Sequence, residues 1–341
     1  MMIIRSKAPL RLGLAGGGTD VVPYCDIYGG AILNATISMY AYATIIPRND
    51  NTIVFHSIDK QTTVTYPASM VLDTSHQMAL LSGIYNRIVA DYSHTPLSFE
   101  LITYVDAPPG SGLGTSSTLV VAIIGAFCEW LKLPLGEYEI ASLAYSIERC
   151  DLAMAGGKQD QYSAAFGGVN YMEFYNNEKA IVNPLRIRTD YLDELSHNIL
   201  LYNTKTSRIS SAIIEIQTEN VKNKSAKTLE AMHVLKEQSL QMKEALLTGN
   251  LNKIGEILDY SWHFKKQMAQ GITNKQIDEI YSAAIKAGST GGKISGAGGG
   301  GFMFFYCPAN SRHQVVETLE HFGGNIKRYE FTNKGLTTWT I

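Results

Sequence analysis

The stretch Pro108-Pro109-Gly110-Ser111-Gly112-Leu113-Gly114-Thr115-Ser116-Ser117 constrains this chain more than any other. Three glycines and four hydroxyls fall between Gly110 and Ser117. Residues 98–105 (SFELITYV), just before it, are β-branched and aromatic and predict a strand. Residues 118–132 (TLVVAIIGAFCEWLK), just after it, predict a largely buried helix. Glycines between two such elements let the backbone approach a ligand closely and adopt positive φ. Thr115, Ser116 and Ser117 then stand at a helix start, where unpaired N–H groups and the helix dipole favour an anion. A tight turn with a Ser/Thr cap explains part of the pattern. The density of glycine and hydroxyl favours a phosphate cradle.

Any anion binding must be local, because the formal net charge is only −2. That charge argues against a nucleic-acid or membrane surface as partner. At 341 residues, 45% apolar and 18% charged, the chain has the makeup of a globular protein with room for two domains. No apolar run approaches a membrane span. The segment GLAGGGTD at 13–20 interrupts the N-terminal apolar stretch, so no signal peptide is expected. Cys25, Cys128, Cys150 and Cys307 lie far apart with no CxxC pair, which suits free thiols in a reducing cytoplasm. The eight histidines lack ligand spacing. The sequence leaves the oligomeric state open, a homodimer included.

Along the chain, residues 2–14 predict a strand pair around Pro9, 31–47 a bent strand, and 52–56 with 62–66 a further pair. Helical spacing marks 80–92 and 137–152, the latter with Glu148 near its end. Residues 153–166 form a Gly/Gln-rich segment around Asp160, and a strand at 169–174 follows. Composition shifts at 175–178, which places a domain boundary at 185/186, giving units 1–185 and 186–341. In the second unit, strands are expected at 198–202, 302–306, 326–331 and 336–341. Helices are expected at 212–221, 226–247, 251–268, 275–287 and 311–322. Residues 204–211 are polar and hydroxyl-rich; Trp262 and Lys265-Lys266 read as packing plus a solvated face.

Two nucleotide fingerprints fail. GxxxxGK[ST] is absent, and the GxGxxG match at Gly296, Gly298 and Gly301 leads into a strand where a dinucleotide fold needs a helix. Phosphoryl transfer instead needs a phosphate cradle, a metal, a cation and a base. Magnesium takes hard oxygen ligands, which Ser116 and Glu148 supply. On spacing alone, Glu148 reads better as a solvated helix-end acid beside Arg149. Asp160, an acid among glycines with few charged neighbours, is the stronger site residue. Arg11, after Pro9-Leu10, is the available cation, although arginines on strands are commonly surface residues.

Three separated motifs resemble those of the GHMP kinases, the family of galactokinase, homoserine kinase, mevalonate kinase and phosphomevalonate kinase. They are Lys7-Ala8-Pro9-Leu10-Arg11 through Gly16-Gly17-Gly18-Thr19-Asp20, then Pro109 to Ser117, then Lys293-Ile294-Ser295-Gly296-Ala297-Gly298-Gly299-Gly300-Gly301. Their order spans nearly the whole chain. The stretches 8–20 and Gly157-Lys158-Gln159-Asp160-Gln161-Tyr162 are most similar to the sugar-1-kinase branch.

The resemblance implies an α+β fold of two domains, the first like domain 2 of ribosomal protein S5 and the second ferredoxin-like, with ATP and Mg²⁺ in the cleft. It implies that Pro109, Gly110, Ser111, Gly112, Leu113, Gly114, Thr115, Ser116 and Ser117 bind ATP, and that Ser116 and Glu148 hold the metal. Asp160 would accept the acceptor's proton, with Arg11 beside it. Gly17, Gly18, Thr19, Asp20 and Gly298 would meet the acceptor. Galactokinases have Glu-His where Gly17-Gly18 stands here, so two side chains are missing from the sugar pocket. That departure implies a bulkier acceptor than galactose, such as a seven-carbon sugar phosphate phosphorylated at its anomeric hydroxyl. Lys158, Lys205 and Arg208 are the expected cations for its phosphate. A kinase of another small alcohol (fucose, galactose, mevalonate, homoserine) and a non-catalytic sugar-binding protein are the rival readings.

Overall fold

Two long strands build the first half of the molecule: β1 (Ile4–Ala15) and β2 (Gly30–Pro47) pair antiparallel, flanking the short helix α1 (Tyr24–Tyr28). The computed structural model describes residues 2–206 and 210–341. The strand pair expected around Pro9 is one continuous strand. The register shifts between Pro9 and Arg11, so the missing proline N–H falls at an irregularity and does not break the ladder.

β3 (Thr52–Ser57) and β4 (Thr62–Pro67) form the expected hairpin. Helix α2 (Ala79–Ile88), strand β5 (Phe99–Val105), helix α3 (Thr115–Leu131) and helix α4 (Glu137–Ser146) follow. α2 and α4 each run on into a π-helical turn, Val89–Ser93 and Ile147–Asp151. Helix α5 (Gln159–Phe166) and strands β6 (Val169–Phe174) and β7 (Ala180–Pro184) complete this half. The sheet runs β4-β3-β5-β2-β1, and β6 takes the free half of β2 and carries β7. β2 bends to serve both neighbours: 30–35 pair with β6 and 41–47 with β5. α3 packs on β1 and β2, and its residues from Val120 to Ala126 have no exposed apolar side chain. Each such fully buried Val or Ile contributes about 1.5–3 kcal/mol relative to exposure.

The second half contains α6 (Thr189–Asn198), β8 (Ile199–Asn203), α7 (Ser210–Lys222), α8 (Ala226–Thr248), α9 (Asn252–Met268) and α10 (Lys275–Lys286). It ends with β9 (Gly291–Ile294), β10 (Phe302–Tyr306), α11 (Arg312–Glu320), β11 (Asn325–Lys327) and β12 (Thr337–Thr340). Its sheet is β11-β8-β10-β9, wholly antiparallel. One face packs on the helices through Trp262, Ile280, Ile294, Met303 and Phe305. The other meets the first body through Leu201, Phe302, Phe304 and Tyr306. A single cut at 185/186 follows the order of the sheets along the chain but separates β12 from the sheet it completes, since β12 pairs with β1.

Four elements depart from expectation. Residues 153–166 are not irregular throughout: α5 starts at Gln159, so Asp160 lies in its first turn. The strand expected at 326–331 is shorter, with only a bridge from Phe331 to Ile37 beyond Lys327. α6 and β7 were not legible, being short and polar. No described helix is long and apolar enough to cross a membrane.

Candidate active site

The three glycine-rich segments meet around one cavity of about 570 Å³. α3 begins at Thr115 with no side-chain cap, which leaves its first N–H groups for a ligand. Pro109, Gly110, Gly112, Gly114, Thr115, Ser116 and Ser117 line the cavity; Ser111 and Leu113 are buried behind it. Their backbone is braced from both sides. Arg11 N donates to Leu113 O (3.2 Å), and Phe302 N donates to Ser111 O (2.9 Å). A Cβ on Gly112 would stand 2.3 Å from Ser295 O, so this approach of two backbones requires glycine.

Arg11 and Asp160 are joined at the centre. The guanidinium donates from Nε to Oδ1 of the carboxylate (2.7 Å), and Nη2 forms an ion pair with the same oxygen at 2.6 Å. Nη1 donates to Gly112 O (2.6 Å). Arg11 is buried, while the Asp160 side chain keeps 23% exposure toward the cavity it lines. Oδ2 has no hydrogen-bond partner among the described residues. A Cβ on Gly114 would lie 3.2 Å from Oδ2, so the carboxylate sits directly against the phosphate loop.

Glu148, carried by the π-helical turn after α4, is buried and reaches the start of α3. Ser116 Oγ lies 3.3 Å from its Oε1, and Gln161 Nε2 lies 2.5 Å from its Oε2 and 3.1 Å from Ser117 Oγ. Arg149 Nη1 is 3.8 Å from Oε1. Two hard oxygens at this spacing, beside the uncapped start of α3, fit one divalent cation that would complete its shell with waters and ligand oxygens. Glu148 is thus not the solvated acid that its spacing alone allowed.

The acceptor residues divide. Asp20 and Gly17 line the cavity, and a Cβ on Gly17 would meet nothing within 4 Å. The space expected from Gly17-Gly18 is open only at Gly17. At Gly18 it is filled: a Cβ there would stand 2.5 Å from Met268 Cε and 2.9 Å from Gln217 Nε2. Asp20 is fully engaged by backbone. Its Oδ2 accepts from Lys158 N (2.9 Å) and Gln159 N (3.0 Å), capping α5 from 139 residues away. Burial pushes its carboxyl up from the ordinary range, while the Gln159 N–H opposes that rise. Thr19 is buried with its hydroxyl between the backbones of Gly16 and Ala31, outside the cavity. Gly298 packs against Ile272 and does not line it.

Two of the cations expected for a substrate phosphate, Lys158 and Lys205, are not brought to the cavity. Lys158 turns away, its ammonium 3.4 Å from Asp26 and over the Tyr145 ring, because α5 is entered with its backbone, not its side chain, toward Asp20. Lys205 is exposed and outside the cavity lining. Arg208 lies outside the described residues. Lys265 is not part of a solvated face: it is buried in the cavity wall and donates to Ile294 O and Gly296 O. Only Lys266 is half-buried outside, near Asp278 and Trp262. Sequence reasoning also assigned no role to Gln161, Gln217, Met268, Ser295 or Lys293. Gln161, Lys293 and Ser295 lay inside quoted motifs; Gln217 and Met268 gave no local signal.

Residues 79–168 match the GHMP kinases N terminal domain, and residues 242–325 match GHMP kinases C terminal. The chain is 48% identical, over 100% of both lengths, to D-glycero-alpha-D-manno-heptose 7-phosphate kinase of Campylobacter jejuni. A crystal structure of a D-glycero-D-manno-heptose 1-phosphate kinase from Bacteroides thetaiotaomicron is 44% identical, covers 99% of each chain and superposes with a TM-score of 0.85. Galactokinase of Lactococcus lactis, complexed with galactose, shares the fold at 20% identity, covering 98% and 95% of the two chains, TM-score 0.77. The chain belongs to the GHMP kinase family. It is a phosphotransferase with ATP as donor and a hydroxyl group as acceptor.

Proposed function

We propose that this kinase phosphorylates the anomeric hydroxyl of D-glycero-D-manno-heptose 7-phosphate to give the 1,7-bisphosphate, in the synthesis of nucleotide-activated heptose. The observation that carries the reading is the Arg11–Asp160 pair, with Asp160 Oδ2 free between the phosphate loop and the opening at Gly17. The full-length likeness to the Campylobacter jejuni enzyme supports the choice of acceptor.

The phosphate loop and the start of α3 hold the triphosphate of ATP, through backbone N–H groups. Ser116 and Glu148 would hold Mg²⁺, which when bound neutralises charge on the phosphate oxygens. The acceptor hydroxyl reaches Asp160 Oδ2. As its oxygen bonds to the γ-phosphorus, the bridging P–O bond breaks, ADP departs, and the proton passes to Oδ2. Arg11 fixes Oδ1 so that Oδ2 faces the acceptor, and its charge stabilises the negative charge gathering nearby. The units 1–185 and 186–341 would then be the nucleotide-holding half and the half that closes the acceptor side. A cytoplasmic location fits the four free thiols.

ADP release from ATP with the heptose 7-phosphate, set against unphosphorylated hexoses, tests the reading. Turnover confined to a hexose would remove it.

A further inference from the structure

Four cationic side chains line the cavity among the described residues: Arg11, Arg149, Lys265 and Lys293. Two are occupied on the catalytic and nucleotide side. Arg11 is bound to Asp160, and Arg149 lies beside Glu148 with contacts to Met154 O and Gly157 O. The two lysines differ from these. Neither has a carboxylate within 4 Å among the described residues.

α9 packs along β9, which brings Lys265 against the strand that carries Lys293. Lys265 spends two of its three donors on Ile294 O and Gly296 O. Lys293 makes no hydrogen bond among the described residues; its ammonium stands 5.7 Å from the Phe304 ring centre. Ile294, the next residue, faces the opposite core, which fixes Lys293 on the cavity side of β9. The side chains are only 6% and 3% exposed. Two buried lysines with no carboxylate partner within 4 Å are unfavourable in their charged form until a negative group enters. Burial lowers the proton affinity of both, Lys265 to about 7 and Lys293 well below the ordinary lysine range; Arg11 adds to both shifts, Lys265 adds to that of Lys293, and Asp20 opposes that of Lys265.

We infer that Lys265 and Lys293 form the receptor for the phosphate that the acceptor already carries, so that α9 and β9 select a phosphorylated sugar over a free one. The acceptor's hydroxyl is held at Asp160, and among the described cations lining the cavity only Lys265 and Lys293 have no carboxylate within 4 Å. This assignment rests on the acceptor reading above and replaces Lys158 and Lys205 in that role.

The test compares kcat/KM for D-glycero-D-manno-heptose 7-phosphate and for D-glycero-D-manno-heptose in wild type, Lys265→Gln and Lys293→Gln. The preference for the phosphorylated sugar is expected to fall on the order of 100-fold in each variant. ADP affinity, read separately, is expected to stay within about 3-fold. Equal losses on both sugars, or losses that follow ADP affinity, would overturn the assignment. Should a variant not fold, wild type decides: inorganic phosphate is expected to compete with the heptose phosphate and not with ATP, and competition with ATP alone overturns it. A wild type that prefers the free sugar sinks the acceptor reading itself, visible without any variant.

Discussion

Asp20 Oδ2 lies 3.0 Å from the backbone N–H of Gln159, the residue directly before Asp160. An acid from the first glycine loop therefore fixes the start of the helix that carries Asp160. A Cβ on Gly157 would stand 2.0 Å from the same oxygen, so the approach admits only glycine there. Asp20 thus both lines the cavity and holds the start of α5.

Asp20→Ala should lose about 1–2 kcal/mol of stability, as for a lost helix cap. It should also lower kcat, because Asp160 loses its positioning. Thermal melts and steady-state kinetics check this; a rise in acceptor KM with kcat unchanged would limit Asp20 to sugar contact.

Asp160→Asn keeps an oxygen for Arg11 but cannot accept the acceptor's proton. Turnover should fall about 10²–10⁴-fold. ATP affinity, measured by calorimetry, should stay within about 3-fold. Near-normal turnover would take Asp160 out of the mechanism.

Ser116→Ala and Glu148→Gln should each raise the Mg²⁺ concentration needed for half-maximal rate, by about 10-fold or more. Glu148→Gln should have the larger effect, since it removes the charge. A Mg²⁺ titration of the rate checks both, and an unchanged midpoint counts against the metal role.

Burial, with Arg11 adding to it, lowers Lys265 to about 7, against about 10.4 in an unfolded chain; Asp20 opposes the fall and Lys293 is a second cation nearby. Between pH 7 and pH 10 the unfolded chain holds a proton that native Lys265 lacks. Its contribution to stability therefore rises with pH across that window, by at most about 1.4 kcal/mol per unit. Below pH 7 the penalty of the buried charge is fully present. Denaturant melts from pH 7 to pH 9 should show a shallower rise for Lys265→Met than for wild type. Parallel curves would contradict the assigned shift.

The phosphate loop, its strand and its helix were legible because each is encoded locally, in glycine density and apolar runs. Asp160 was legible as a site residue, but its helix was not. The cap of α5 comes from Asp20, far away in sequence, and no Ser, Thr, Asp or Asn stands before Gln159 to announce a start. The same limit hid the acceptor pocket. Gly18 reads as empty space in the sequence, yet Met268 and Gln217 arrive from α9 and α7 to fill it. Lys265 and Lys158 exchange their expected settings for a similar reason. Lys265 sits on a helix face that reads as solvated until β9 covers it, and Lys158 sits near Asp160 in sequence with its buried side chain turned away from the cavity to Asp26.

The central claim is the acceptor and the position phosphorylated. Incubation with ATP, Mg²⁺ and D-glycero-D-manno-heptose 7-phosphate, followed by phosphorus NMR of the product, tests it most directly. The account predicts one new phosphate ester coupled to the anomeric proton, formed together with an equal amount of ADP. A new ester on any other carbon, or ADP formation only with an unphosphorylated sugar or another alcohol, would contradict it.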